Sequence, residues 1–298
     1  MMKCRCGRKA VFHSKVYRIT LCDECYPKFY INLVKRSIKR YGILKSSEKV
    51  LVCVSGGKDS AAMAYALNEL KYDIELFHID LGIGNYSKES LRAVEELSQT
   101  LDLKLNVVKL KEYGFTIDDV ERRKVCSACG IVKRYIMNRF ARKRFFDVIA
   151  TAHTCEDIIL FFIKNMLSGN IEYISKLKPR IEGLNKFVAK AKPLFERTEN
   201  ENATLVLTLN LPFTPVECPH APNDVWKEII YEIEDRRRGF KQNFVRGIVK
   251  IAKEIKMEKW EFGHCKICGE ISNSEVCSFC RIVERYSGKN YKNYDSIL

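Results

Sequence analysis

Apolar positions along the chain switch between two periods. Residues 31–43, INLVKRSIKRYGI, carry apolar side chains at helical spacing with basic residues between them, which predicts an amphipathic helix. From residue 49 onward, short apolar runs alternate with helical patterns. VLVCVS, IELFHID, LKLNVVKL and FFDVIATAH predict strands, being short and rich in β-branched or aromatic residues. KDSAAMAYALNEL, SKESLRAVEELSQTL (with Ser87 and Ser90 near its start) and IVKRYIMNRFARKR predict helices between them. A further helix is expected from about Asp157. AKPLFE and TLVLTL fit either pattern, and VYRITLC near the N-terminus predicts a strand. The alternation predicts an α/β fold, a parallel sheet with helices on both faces. In such sheets ligands bind at the C-terminal ends of the strands.

Four segments follow. Residues 1–30 form a cysteine-bearing module, 31–48 a linker helix, 49–256 the α/β domain and 257–298 a second cysteine-bearing module. No apolar stretch is long enough to span a bilayer. MMKCRCGRKA has no apolar core behind its charges, so no secretory signal is read there and a cytoplasmic protein is expected.

Composition adds a partner. Among 298 residues the formal net charge is +15, with lysine and arginine spread along the chain. An excess of that size attracts polyanions, and nucleic acid is favoured over a merely solvated surface. Thirteen cysteines in a reducing compartment point to metal rather than disulfides, because they cluster at short spacing.

Ser55-Gly56-Gly57-Lys58-Asp59-Ser60 lies between a predicted strand and helix. Adjacent glycines let backbone amides approach an anion, and a helix start adds free amides and a positive dipole end. The spacing fits neither G-x-x-x-x-G-K-[ST] nor G-x-G-x-x-G. SGGKDS resembles the PP-loop of the N-type ATP pyrophosphatases, which cleave ATP between the α and β phosphates. The resemblance implies that Ser55, Gly56, Gly57, Lys58 and Ser60 contact phosphates and that Asp59 helps hold Mg²⁺. The end of the next strand, FHIDLG, would lie beside adenine and ribose. His78 and Asp80 there are ATP-binding candidates, with strand-end and capping roles as the alternative.

In VCSACGIVKRY, helical geometry would put Cys126, Cys129 and Lys133 on one face, an ammonium over two thiols. The alternatives are half of a zinc site or two buried structural cysteines. Cys218, in VECPHA, is a third thiol outside the terminal clusters. Three cysteines without an obvious fourth suit an iron–sulfur cluster with one open iron. At the chain ends, Cys265-x2-Cys268-x8-Cys277-x2-Cys280 has zinc-ribbon spacing. Cys4-x-Cys6 with Cys22-x2-Cys25 is a tighter second set, in which His13 could replace a cysteine. RCGRK in the first module and CRIVERYSGKNYKNY in the second suit RNA contact or a solvated surface.

The joint pattern C-S-A-C-G-x-x-K-R-Y, DVIATAHTCED, KPL and ECP resembles the TtcA/TtuA group of PP-loop tRNA 2-thiolation enzymes through nearly the whole chain. K-R-Y after the cysteine pair is more similar to the branch acting on the T-loop uridine, position 54. The resemblance implies a 4Fe–4S cluster on Cys126, Cys129 and Cys218, and Lys133 and Asp157 as catalytic residues. Lys133 would stabilise developing charge, and Asp157 would orient it or shuttle a proton, with helix capping as its alternative role. His153 is read either as lining the ATP pocket or as structural. The implied reaction adenylates the C2 oxygen of uridine, after which sulfur attacks C2 and AMP leaves. The implied cofactors are ATP, Mg²⁺, the cluster and two Zn²⁺. The implied partners are tRNA, a ubiquitin-like thiocarboxylated carrier protein and a second copy of the chain. The family's G-H-N-x-D-D reads Ala152-His153-Thr154-Cys155-Glu156-Asp157 here, with Thr154 and Glu156 altering polar positions of the ATP pocket, and Leu81 stands where an acidic residue often follows the Asp. Cys155 is read either as a buried core thiol or as a fourth ligand or sulfur acceptor. The rivals are a wobble-uridine or cytidine thiolase, an amide-forming adenylating enzyme, and a non-catalytic zinc-ribbon RNA-binding protein. The intact SGGKDS argues against the last.

Overall fold

A computed structural model describes residues 2–221, 224–255 and 263–287. Its strands are β1 (Phe12–Ser14), β2 (Ile19–Leu21), β3 (Lys49–Cys53), β4 (Asp73–Asp80), β5 (Leu105–Lys109), β6 (Val148–Ala150), β7 (Arg180–Ile181), β8 (Ala189–Ala191), β9 (Gly263–His264) and β10 (Ile271–Ser272). The helices are α1 (Cys25–Tyr41), α2 (Lys58–Glu69), α3 (Gly84–Leu101), α4 (Val125–Lys143), α5 (Cys155–Leu167), α6 (Glu199–Thr208), α7 (Val225–Arg236), α8 (Phe240–Glu254) and α9 (Ser278–Ser287).

The central sheet runs β5-β4-β3-β6-β8-β7. Its first five strands pair in parallel, and the short edge strand β7 pairs antiparallel to β8. Alternation along each strand separates two cores, as the pleat requires. Val50 and Val52 of β3 pack on one face with α1, α2 and α6, whereas Leu51 between them packs on the other with α4 and α9. Phe77 of β4 and Ile149 of β6 join Leu51, and their neighbours turn away. A third cluster gathers α5 and α8 around Phe195. Strand order reverses between β3 and β6, so the crevice for a ligand opens where β3 ends.

Three expectations change. The helix expected from residue 31 starts at Cys25 and ends at Gly42, whose φ of 57° suits a left-handed cap. It is not a mere linker: Tyr26, Tyr30, Val34 and Ile38 are buried in the first core. VYRITLC is a strand only over Ile19–Leu21, because a turn at Tyr17 and Arg18 folds β1 back onto β2. TLVLTL resolves as helix α6, whose N-cap Thr198 accepts from the Glu201 amide while the Glu201 carboxylate accepts from Thr198 N–H.

The cysteine modules dock on the fold through aromatics. Tyr135 of α4 stacks on Phe279 of α9, centroids 3.7 Å apart and planes 6° from parallel. Arg139 and Arg142 of α4 pair with Glu270 nearby. Tyr30 of α1 donates to Asn202 Oδ1 at 2.5 Å inside the first core. Replacing Tyr30 by Phe strips that buried amide oxygen of its donor, a loss of about 1–2 kcal/mol. The expected outcome is a melting temperature several degrees lower by calorimetry, with the helical circular dichroism unchanged.

Candidate active site

Ser55–Ser60 wraps the end of β3 and starts α2. Gly56 sits at φ 90°, and a Cβ there would lie 2.8 Å from Ser90 Cα on α3. Both the dihedral and the close approach require glycine. Ser60 Oγ accepts from the Ser55 amide at 3.2 Å and donates to Gly57 O at 2.8 Å, which fixes the loop. No side chain caps α2 at Gly57. Its first amides are therefore free to meet an anion, aided by the positive end of the helix dipole.

Lys58 Nζ lies 3.0 Å from Asp59 Oδ2 and 3.7 Å from Glu199 Oε2. Burial opposes charge on Lys58, but the two carboxylates outweigh it and hold its pKa above the ordinary value. Burial pushes the Asp59 carboxyl up, against the pull of Lys58 and of Asn202, which donates at 2.8 Å.

Beside the loop lies a cleft of about 530 Å³, lined among others by Ser55, His78, Tyr86, Ser90, Lys133 and Met137. His78 bonds Val54 O through Nδ1 at 2.9 Å, and burial lowers its pKa below the ordinary histidine value. The ring is then neutral, with Nδ1–H donating and Nε2 left as an acceptor. Among the described residues, His78 Nε2 and Ser90 Oγ are both buried without a partner. Two orphaned polar atoms lining one cleft point to a polar ligand that satisfies them. Asp80 instead accepts from the Gly82 amide at 2.9 Å, closing the turn after β4. Leu81 is buried in the second core.

Cys126, Cys129 and Lys133 do share a face, since α4 begins at Val125. Burial raises the Cys129 thiol, while the positive charge of the nearby Lys133 ammonium pulls it back. Cys126 and Cys218 are its next electrostatic neighbours. Cys126 Sγ–H donates to His220 O at 3.2 Å, so the ECPHA segment folds over the first turn of α4. Thr214 N–H also donates to Gly56 O at 2.8 Å, tying that segment to the phosphate loop. The terminal sets are tighter. The four sulfurs of Cys4, Cys6, Cys22 and Cys25 lie within 4.8 Å of one another, as do those of Cys265, Cys268, Cys277 and Cys280. His13 is not in the first set; it bonds Thr20 Oγ1 at 2.9 Å on the hairpin. The three central thiols form no such knot, as expected of ligands that would each take a different iron.

The helix after β6 departs from expectation. Thr154 caps α5 and Asp157 completes the capping box, with Oδ2 accepting from Thr154 N–H at 3.1 Å. Asp157 Oδ1 lies 3.4 Å from Lys227 Nζ, and among the described residues it makes no bond to Lys133. Its orienting partner is Lys227. Glu156 is fully buried against Lys241 at 2.8 Å and also accepts from the Glu199 amide, so it braces α5, α6 and α8 rather than lining the cleft. His153 bonds Thr151 at 2.9 Å and packs edge-on to Phe161, outside the cleft lining. Cys155 is completely buried in the third core, bonded to Phe195 O at 3.5 Å, and burial raises its thiol far above the ordinary range. A neutral, sealed thiol with these neighbours serves packing, not ligation or sulfur transfer.

Lys227 and Glu199 went unread in the sequence. Lys227 bonds Glu199 Oε1 at 2.5 Å, and Tyr231 donates to Glu199 Oε2 at 3.2 Å. Nothing in the ordinary helical pattern of α7 singles out Lys227. The capping box T-E-N-E at 198–201 does mark the α6 start that presents Glu199.

A glycine-bearing pyrophosphate loop at the switch point of a parallel sheet defines a PP-loop nucleotide-binding protein, and a family profile described as a PP-loop domain matches residues 30–207. The chain is 40% identical to the tRNA-5-methyluridine(54) 2-sulfurtransferase of Pyrococcus horikoshii, covering 94% of this chain and 93% of that one. The enzyme of that name from Thermotoga maritima is 34% identical, covering 98% and 99%. A solved structure titled the U34-tRNA thiolase NcsA from Methanococcus maripaludis, with its [4Fe-4S] cluster, superposes with a TM-score of 0.80 at 29% identity, covering 97% and 99%. The chain belongs to this family of PP-loop tRNA 2-thiolation sulfurtransferases.

Gly56→Ala tests the cradle. It should fold with an unaltered far-ultraviolet spectrum yet bind ATP at least about tenfold more weakly, because strain of about 1–3 kcal/mol must be taken up in the loop. Equilibrium dialysis with labelled ATP reads this out.

Proposed function

We propose that the protein transfers sulfur to C2 of a tRNA uridine, at T-loop position 54, with ATP cleaved to AMP and pyrophosphate. The observation that carries this reading is the position of Lys133. One side chain lines the cleft together with Ser55, and its charge acts on the Cys129 thiol, so one ammonium stands between the phosphate cradle and the cysteine pair.

Ser55, Gly56, Gly57, Lys58 and Ser60 hold the β,γ-pyrophosphate of ATP, and Asp59 takes part in holding Mg²⁺. His78 Nε2 accepts a hydrogen bond from the nucleoside in the cleft. Uridine O2 attacks the α-phosphorus, the bond to the bridging oxygen breaks, and pyrophosphate leaves. The N3 proton is released as O2 is adenylated, and Asp157, steadied by Lys227, is the carboxylate assigned to take it. Lys133 stabilises the charge that gathers on the ring and phosphate. Sulfur then bonds to C2, the C2–O bond breaks, and AMP departs with that oxygen. Cys126, Cys129 and Cys218 fit a 4Fe–4S cluster by donor chemistry: Cys218 and Cys126 are electrostatic neighbours of the Cys129 thiol, on which the Lys133 charge also acts. When bound, such a cluster supplies an open coordination site for incoming sulfur.

Each terminal cysteine set fits one structural Zn²⁺ by donor number and convergence. The reading takes 1–30 and 257–298 as zinc modules around a catalytic domain over 49–256. Residues 256–262 and 288–298, including the KNYKNY stretch, lie outside the described residues. Family resemblance supplies the remaining partners, a thiocarboxylated ubiquitin-like carrier and a homodimer. No helix among the described residues is long and apolar enough to cross a membrane; the cytoplasmic setting is part of the proposal. A second reading, wobble uridine 34, draws on the likeness to the U34 thiolase.

Nucleosides from tRNA of a deletion strain, mapped to position by mass spectrometry, separate these. Loss of the 2-thio group at position 54 is expected. Loss at 34 selects the second reading, and intact thiolation throughout defeats both.

A further inference from the structure

A second cleft, of about 650 Å³, lies between the N-terminal hairpin, α1, α8 and the start of α6. Its wall carries four arginines, Arg36, Arg40, Arg197 and Arg246, and one carboxylate, Glu196. Glu196 is fully engaged: it accepts from Arg40 at 3.0 Å, Arg246 at 2.8 Å, Tyr41 at 3.0 Å and Ser37 at 3.1 Å. Arg197 is 2% exposed and pairs with Glu201 at 3.2 Å, and its Nε is buried with no partner among the described residues. Arg36 is exposed on the rim and forms no ion pair among the described residues. Counting Glu201, four guanidinium groups face two carboxylates, which leaves two positive charges unanswered. A buried donor without an acceptor, in a cleft with surplus arginine, calls for an anion with several oxygens.

We propose that this cleft is a phosphate-binding pocket, separate from the ATP cradle, that takes a backbone phosphate of the RNA substrate. The inference rests on the tRNA reading above. Guanidinium forks match phosphate geometry, and phosphate contacts set register on a nucleic acid without reading sequence. The pocket is wired to the phosphate loop through one turn of α6. Arg197 holds Glu201; the adjacent Asn202 donates to Asp59 at 2.8 Å and accepts from Tyr30, while Tyr26 donates to Glu201 O at 2.6 Å. Occupation of the pocket therefore bears on the loop that holds ATP.

The test uses the full holoprotein with Arg36→Glu and, separately, Arg246→Gln. Arg36 has no partner to lose, so its reversal spares the fold. Lys45→Glu, the same charge change before β3, is the control. Filter binding of bulk tRNA is measured across a salt series, and thermal melting is followed with inorganic phosphate and with tRNA. Arg36→Glu is expected to weaken tRNA about tenfold, and to lower the slope of log affinity against log salt by about one. Arg246→Gln should act in the same direction, and Lys45→Glu should change neither quantity appreciably. Stabilisation of the parent by inorganic phosphate that the variants lose, with tRNA affinity unchanged, overturns the RNA assignment in favour of a free phosphate. No change in either arm overturns the pocket altogether. If the parent itself fails to bind tRNA, the tRNA reading falls and not merely this pocket.

Discussion

Free helix N-termini crowd one edge of a parallel sheet, and that edge needs an anion. The chain leaves β3 into α2, β4 into α3, β5 toward α4 and β6 into α5, so the first turns of four helices meet where the strands end. Their unpaired amides and dipoles sum at that edge. Three of the four starts lack a side-chain cap, at Gly57, Ile83 and Lys124, and the proposed chemistry falls at the first and the last. At α5, by contrast, Thr154 and Asp157 close the cap, and only one carboxylate oxygen is left for Lys227. On the proposed reading, the fold thus sets which helix start receives phosphate and which supplies a carboxylate.

Around that edge the charges are arranged as alternating pairs rather than as a positive bowl. Lys58 meets Asp59 and Glu199, and Lys227 meets Glu199 and Asp157. Each ammonium is kept charged by two partners, which outweigh the penalty of burial. Such a network can hand its cations to a polyphosphate while the carboxylates turn to a divalent ion or a proton. Lys133 stands apart from it, facing sulfur on one side and the cleft on the other.

Much of this was legible in the chain because the signals are local. Four strands and the glycine loop read directly from period and turn residues, and the C-x-x-C spacing became one face once α4 formed through it. The terminal cysteine sets converge as their spacing implied. What stayed hidden depends on long-range packing. Cys155 looks available in sequence, yet Phe195 and the third core seal it. Glu156 looked like a lost pocket contact, but Lys241, 85 residues away, turns it into a buried brace. Asp157 fell on the expected position with a partner, Lys227, that no local pattern marks. The apolar run TLVLTL was ambiguous because six apolar-rich residues fit a strand or a helix, and only the cap at Thr198 decides between them.

On the proposed reading, one lysine joins nucleotide activation to sulfur chemistry, and this role has a direct test. That test is Lys133→Ala, prepared anaerobically, with iron content, ATP affinity and tRNA-dependent AMP release measured on the same sample. Iron and ATP binding are expected within about twofold of the parent and AMP release lowered at least about a hundredfold, a barrier increase of about 2.7 kcal/mol. AMP release at the parent's rate, with cluster and nucleotide both bound, would contradict that role.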